Sequence, residues 1–195
     1  MVIQNQGRLD LTDNEMRMLA CFAMYLQRNK PSRYLEVGIY AGGTIKFVSD
    51  YAKGMDCTGV DLFEDFIPHH KNTHVSPNFY TMAQIQEFLG SDVRLIKGYS
   101  EQVLPELLKN NEKFDLIFID GNHKYEATKV DFENAYKILN PGGFIAFHNC
   151  STGGNPDWEG YNIVDGGPWQ VTLELKLSNR MRCVGEIDRL AVFAA

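Results

Sequence analysis

The sequence predicts an α/β fold: a Rossmann-like, seven-stranded, mostly parallel sheet with an antiparallel last strand and an N-terminal helical extension. Three observations predict it. Short apolar runs alternate with stretches of helical periodicity from residue 33 to about residue 147, the pattern of repeated strand–helix units. Phe114-Asp115-Leu116-Ile117-Phe118-Ile119 is nearly all apolar, as a strand buried on both faces requires. Met181–Val184 and Arg189–Phe193, joined through Gly185, read as a closing antiparallel hairpin. Residues 1–30 form an arm and a helix, and residues 31–195 form the α/β domain.

Length and composition narrow the function. A chain of 195 residues, 44% of them apolar, builds one domain with a sizeable core. The net charge is −6 and no basic run occurs, which removes the electrostatic footprint of nucleic-acid or anionic-membrane binding. No stretch has a signal-peptide layout or a spanning length, so a cytoplasmic location is expected. Cys21, Cys57, Cys150 and Cys183 are scattered without a C-x-x-C pair and read as buried or incidental thiols. Cys150 is set apart because it adjoins the end of the fifth strand.

The elements follow in order. Thr12 and Glu15 have capping-box spacing, and Leu11, Met18, Leu19, Phe22, Ala23 and Leu26 recur at helical intervals until Asn29-Lys30-Pro31. The first strand is 33–37, and a helix over 43–53 buries Ile45, Phe47, Val48 and Tyr51. A second strand, 56–61, ends at Asp61; a short helix over 81–90 and a third strand, 93–97, follow. Ser100 is placed to cap a helix beginning at Glu101. After the fourth strand, 114–119, a helix over 124–139 stops at Pro141-Gly142-Gly143, and Phe144–Phe147 form the fifth strand. A last helix covers 169–178.

The first strand runs into Tyr34-Leu35-Glu36-Val37-Gly38-Ile39-Tyr40-Ala41-Gly42-Gly43-Thr44. This is strand, tight turn and helix start, where free N–H groups and the helix dipole meet polar ligand groups. The glycine spacing is not G-x-G-x-x-G, and Glu36 would repel a diphosphate. Asp61, about 20 residues past the glycines, ends the second strand, where a carboxylate accepts from both hydroxyls of a ribose; the other reading is a turn cap. The stretch resembles the glycine-rich first motif of class I S-adenosylmethionine-dependent methyltransferases, whose cofactor carries a sulfonium and no phosphate. The resemblance implies cofactor contacts at Glu36, Gly38, Ala41, Gly42, Gly43, Thr44, Asp61 and Leu62, with Tyr99 and Ser100 near the adenine and Asp120 also at the cofactor.

The fourth and fifth strands deliver Asp120, His123, His148 and Asn149 to the same crevice. Methyl transfer needs the acceptor deprotonated and aligned. Histidine exchanges its proton near neutral pH, and His123 is therefore the candidate general base. Asp120, His148 and Asn149 read either as holders of a divalent cation such as Mg²⁺ or as groups that only order water and loops; His148 is the weak member of an oxygen-rich site. Asp-Gly-x-His-x-Tyr from Asp120, the Leu-x-Pro-Gly-Gly from Leu139 and the His148-Asn149 pair resemble, as a set, the macrocin-type small-molecule O-methyltransferases. Val60–Phe66 is similar to their Asp-Ser-Phe-Glu-Gly segment. The resemblance covers 34–150 and implies Asp120 and Asn149 as metal ligands and His123 as base. Asn149 departs from the usual aspartate, and Asp65-Phe66 replaces Gly-Asp.

The expected activity is methyl transfer from S-adenosylmethionine to a hydroxyl of a small molecule, a sugar or a phenol. The alternatives are an NAD-type oxidoreductase and an inactive S-adenosylmethionine-binding protein. His69, His70 and His74 match no zinc pattern and read as a loop over the active face. Trp158, Tyr161 and Trp169 either line an acceptor pocket or form their loop's own core. Oligomeric state is open, a homo-oligomer included.

Overall fold

The described residues of this computed structural model are 11–28, 30–63, 80–150 and 166–195. The arm before residue 10, the His69/His70/His74 segment, Trp158 and Tyr161 lie outside them. The elements are α1 (Asp13–Gln27), β1 (Arg33–Val37), α2 (Gly43–Tyr51), β2 (Asp56–Asp61), α3 (Met82–Leu89), β3 (Val93–Lys97), α4 (Ser100–Lys109), β4 (Phe114–Ile119), α5 (Tyr125–Ile138), β5 (Leu139–Phe147), α6 (Gly167–Ser178), β6 (Arg182–Ile187) and β7 (Leu190–Ala194). The sheet order is β3-β2-β1-β4-β5-β7-β6. The first five strands pair in parallel, and β7 runs antiparallel to both β5 and β6.

Strand alternation builds the layers. Tyr34, Leu116, Phe118 and Ala146 point to one face, where they meet Leu19 and Ala23 of α1, Ile45 and Val48 of α2, and Ile85 of α3. Leu35, Val37, Ile117, Ile119 and Phe147 point to the other, against Leu104 of α4, Phe132 of α5 and Val171 of α6. The N-terminal helix is thus a full member of the first layer, with Leu19 and Ala23 wholly buried. Its capping box forms: the Thr12 hydroxyl accepts from Glu15 N, and Glu15 accepts from Thr12 N. Among the described residues no helix is long and apolar enough to cross a membrane. Strand order reverses between β1 and β4, so the crevice beyond their carboxyl ends is the natural ligand site.

Four local expectations change, the first at Tyr51, which is exposed rather than on the buried face of α2. The hairpin turns at Asp188-Arg189, not Gly185: Ile187 pairs with Leu190, and Asp188 takes a positive φ of 51°. Gly185 lies inside β6 beside a register shift, where an added Cβ would press to 3.3 Å from the Met18 side chain of α1. The fifth strand begins at Leu139, because that buried side chain pairs with Phe114 ahead of the Pro141-Gly142-Gly143 bulge. Ser100 is the first residue of α4 rather than its cap; Tyr99 holds the cap position without a side-chain bond.

Candidate active site

The first wall of the crevice is the turn after β1. Gly38 has φ +85°, and a Cβ there would lie 2.3 Å from the Asp120 carbonyl oxygen, so only glycine lets this turn rest on the residue ending β4. Gly38 N donates to Val60 O, and Asp120 N donates to Val37 O, which locks β2, β1 and β4 together at their carboxyl ends. Tyr40 also has positive φ, at 50°, and Gly42 follows at +80°. Helix α2 then starts at Gly43, with Ala41 and Thr44 buried and no side chain capping its N-terminus. α3 closes on this loop: an added Cβ at Gly42 would touch Ile85 at 3.3 Å.

Asp61 organises this wall. One carboxylate oxygen accepts from Ile39 N (2.6 Å) and Tyr40 N (3.0 Å), which offsets the cost of the left-handed Tyr40. The other accepts from Leu62 N (2.6 Å) and Phe63 N (3.1 Å). Of the two readings of Asp61, the turn cap is what these contacts show. Gly98 N donates to Asp61 O, drawing Tyr99 and Ser100 alongside. Tyr99 is exposed, while Ser100 hydrogen-bonds Asp131 of α5. Burial, partly countered by that hydroxyl, raises Asp131 to about 6.

Glu36 is not on the crevice surface. It is 1% exposed, accepts from Tyr34 Oη at 2.6 Å and from Ile45 N, and therefore supports α2 from below. Burial, with the Asp120 and Asp61 charges, raises its carboxyl well above the usual range despite the Tyr34 hydrogen bond. Any effect of Glu36 on a ligand passes through the loop it props.

The second wall is built on β4 and β5. Asp120 follows β4, and Asn122 Oδ1 accepts from Lys124 N to start α5. His123 Nε2 lies 3.4 Å from Asp120 Oδ1, with the His123 side chain 30% exposed. His148 Nδ1 reaches the same oxygen at 3.2 Å. The far side of the His148 ring faces Glu15 of α1: Nε2 to Oε2 is 3.5 Å, an ion-pair contact too long for a well-formed hydrogen bond. Both Glu15 and His148 are fully buried. Burial alone would depress His148, but the Asp120 and Glu15 carboxylates outweigh it and raise the ring to about 9. Burial would raise Asp120, yet the His123 and His148 rings hold it below the ordinary aspartate value.

The structure therefore brings Asp120, His123 and His148 together but removes His148 from the metal set. Its two nitrogens both face carboxylates, so it has no lone pair to give a cation. Asp120 and Asn149 alone offer one carboxylate and one amide, a partial donor set of the kind that Mg²⁺ completes with waters and substrate oxygens. Among the described residues no three His, Cys, Asp or Glu side chains gather to hold a metal ion. Asp120, His148 and Asn149 thus do not fit a divalent cation as a set. Cys150 is buried, its thiol donates to Phe147 O at 3.2 Å, and burial pushes it far up, which makes it inert. Glu15 is the participant that sequence reasoning missed. Its capping-box spacing is legible, but its contact with Arg189 N (2.7 Å) lies 174 residues away and leaves no local signal.

Comparison with solved structures places this architecture among the methyltransferase folds. An O-methyltransferase from Bacillus cereus in complex with SAH superposes with a TM-score of 0.67 at 15% identity, covering 95% of this chain and 83% of that one. The calicheamicin methyltransferase gives 0.60 at 21% identity, over 94% and 80%. MycE from mycinamycin biosynthesis, in complex with Mg and SAH, gives 0.58 at 17% identity, over 88% and 47%. Residues 35–150 match the family described as a methyltransferase domain, and the chain belongs to that family. Among curated proteins, an uncharacterised protein of Acanthamoeba polyphaga mimivirus is 31% identical over 118 residues, 58% of this chain and 49% of that protein. A putative O-methyltransferase of Mycobacteroides abscessus is 29% identical over 136 residues, 69% and 57%. The chain spans about half the length of these curated relatives.

Proposed function

We propose that the protein transfers a methyl group from S-adenosylmethionine to a hydroxyl of a small molecule, a sugar or a phenol. The observation that carries this reading is the His123–Asp120 pair, 3.4 Å apart, at the strand ends beside the glycine turn that rests on Asp120. Membership of the methyltransferase family supports it, as do the O-methyltransferase name of one relative and the SAH bound by structural neighbours. A sugar acceptor gains support from a neighbour described as a TDP-rhamnose 3'-O-methyltransferase.

In this reading Gly38, Ala41, Gly42, Gly43 and Thr44 hold the cofactor at the uncapped start of α2. Asp61 and Leu62 take the ribose side, and Tyr99 and Ser100 the adenine side. Glu36 acts from beneath the loop. Bound S-adenosylmethionine supplies an electrophilic methyl on a sulfonium. His123 accepts the acceptor's hydroxyl proton, and Asp120 stabilises the imidazolium that forms. No step here is routed through a metal.

Calorimetric titration with S-adenosylhomocysteine and, separately, NAD tests the cofactor. Micromolar binding of the first and none of the second is expected. A panel of sugar nucleotides and phenols with labelled S-adenosylmethionine then tests the acceptor. Failure of the wild-type protein to bind S-adenosylhomocysteine overturns the reading.

A further inference from the structure

A line of charge runs from the N-terminal helix to the crevice. Glu15 Oε1 accepts from Arg189 N at 2.7 Å and lies 3.8 Å from the Arg189 guanidinium. Glu15 Oε2 accepts from Thr12 N at 2.7 Å and faces His148 Nε2. His148 Nδ1 meets Asp120 Oδ1, and that same oxygen meets His123 Nε2. Two fully buried ionisable side chains thus stand in series behind a carboxylate that is itself only 19% exposed.

A staple of α1 to the sheet does not require this order. Leu19, Ala23 and Leu26 already bury the helix's apolar stripe in the core of the first layer. Burying a carboxylate and an imidazole in place of two apolar side chains rarely gains stability. The same pair does fix the direction of the next carboxylate. His148, at the end of β5, reaches Asp120 Oδ1 through Nδ1 at 3.2 Å with Glu15 3.5 Å behind its Nε2, and His123 Nε2 lies 3.4 Å from the same Asp120 oxygen.

We propose that Glu15 and His148 are positioning residues: through their buried contacts they hold Asp120 so that it accepts from His123 Nε2–H, which leaves His123 Nδ1 as the atom that takes the acceptor's proton. The proposal rests on the methyl-transfer reading for the role of His123. It makes the N-terminal helix part of the catalytic apparatus.

The test is histidine ¹⁵N NMR on the full chain saturated with S-adenosylhomocysteine at one fixed pH, with His123 assigned through His123→Gln. In the wild type the two His123 nitrogens should give the widely split pair of a single Nε2–H tautomer. In Glu15→Gln and in His148→Gln the pair should collapse toward a common average. Thr12→Ala, which loosens the helix without touching His148, should lower the melting temperature and leave the His123 signals in place. A wild-type His123 that populates both tautomers overturns the proposal without any variant. So does a wild-type spectrum retained in either folded variant whose melting temperature falls, since that is the behaviour of a staple. Wild-type protein that fails to bind S-adenosylhomocysteine sinks the methyl-transfer reading instead, so the two failures are distinguishable.

Discussion

Strand β4 carries an aspartate near each end, and the two are held in different ways. Asp115, at its amino end, is 3% exposed and accepts from Lys30 Nζ (2.7 Å), Arg33 N (2.9 Å) and Asn140 Nδ2 (3.0 Å). Asp120, just past its carboxyl end, has two imidazoles on one oxygen. A lysine, a backbone amide and a side-chain amide do not change charge near neutral pH, so Asp115 is a fixed structural joint. Histidines are the side chains that exchange protons there. Two identical residues near opposite ends of one strand thus differ in what they can do because of their partners, and not because of their burial alone.

The largest effect should separate the two ends by activity. His123→Gln is expected to lower methyl transfer by about 10²- to 10⁴-fold, the usual contribution of a positioned base. Its affinity for S-adenosylhomocysteine should stay within about threefold, since the glycine turn proposed to hold the cofactor does not include His123. Turnover with the best hydroxyl acceptor of the panel, beside calorimetry, measures the split. Equal losses in both would place His123 in cofactor binding and break the comparison.

The two ends should also fail in opposite pH directions. His148 is raised from 6.5 to about 9 in the folded protein. Its contribution to stability is therefore present in full below the unfolded value and is lost as pH rises through about 9, a loss of roughly 3 kcal/mol at most. Asp115 is held below its ordinary value: burial would raise it, but Lys30, the Arg33 amide and Asn140 outweigh that. Its contribution is present above the ordinary aspartate value and is lost as pH falls through the depressed one. Urea unfolding at pH 6, 7.5 and 9.5 should show stability falling across the alkaline range, and His148→Gln should flatten that fall. An alkaline slope unchanged in the variant would show that His148 does not carry it.

Asp115→Ala should cost roughly 2 kcal/mol of stability, because it leaves the Arg33 amide and Asn140 without their acceptor while the half-exposed Lys30 returns to water. Its S-adenosylhomocysteine affinity should match wild type. Weakened binding at unchanged stability would mean that the amino end of β4 is coupled to the crevice after all.

What the sequence reveals follows the range of the interactions. The order of elements and the crevice at the strand ends are legible, because alternation, helical periodicity and the Gly38 turn are local signals. Asp120 and His123 are three residues apart after one strand, so their common place in the crevice is legible, while their contact is seen only in the structure. His148 is misread as a ligand because its partner Glu15 comes from the other end of the chain, and both appear locally as ordinary residues of a strand end and a capping box. Gly185 is misread as the hairpin turn because glycine marks close approach as readily as it marks a bend; here it makes room for Met18. Ser100 has cap chemistry, but Asp131, buried 31 residues later, claims its hydroxyl.

The smallest expected effect sharpens the remaining ambiguity, since Glu15 belongs both to a helix cap and to the line behind Asp120. Thr12→Ala removes the hydroxyl that accepts from Glu15 N and donates to Asp188, yet keeps the Thr12 backbone N–H that donates to Glu15 Oε2. A lost N-cap costs about 1 kcal/mol, and the tie to Asp188 is surface-exposed and adds little. Stability by urea unfolding should therefore fall by about 1 kcal/mol, with turnover unchanged. If turnover fell along with it, the cap itself would be setting the position of Glu15, and the division of β4 into a structural and a reactive end would have to extend to the first turn of α1.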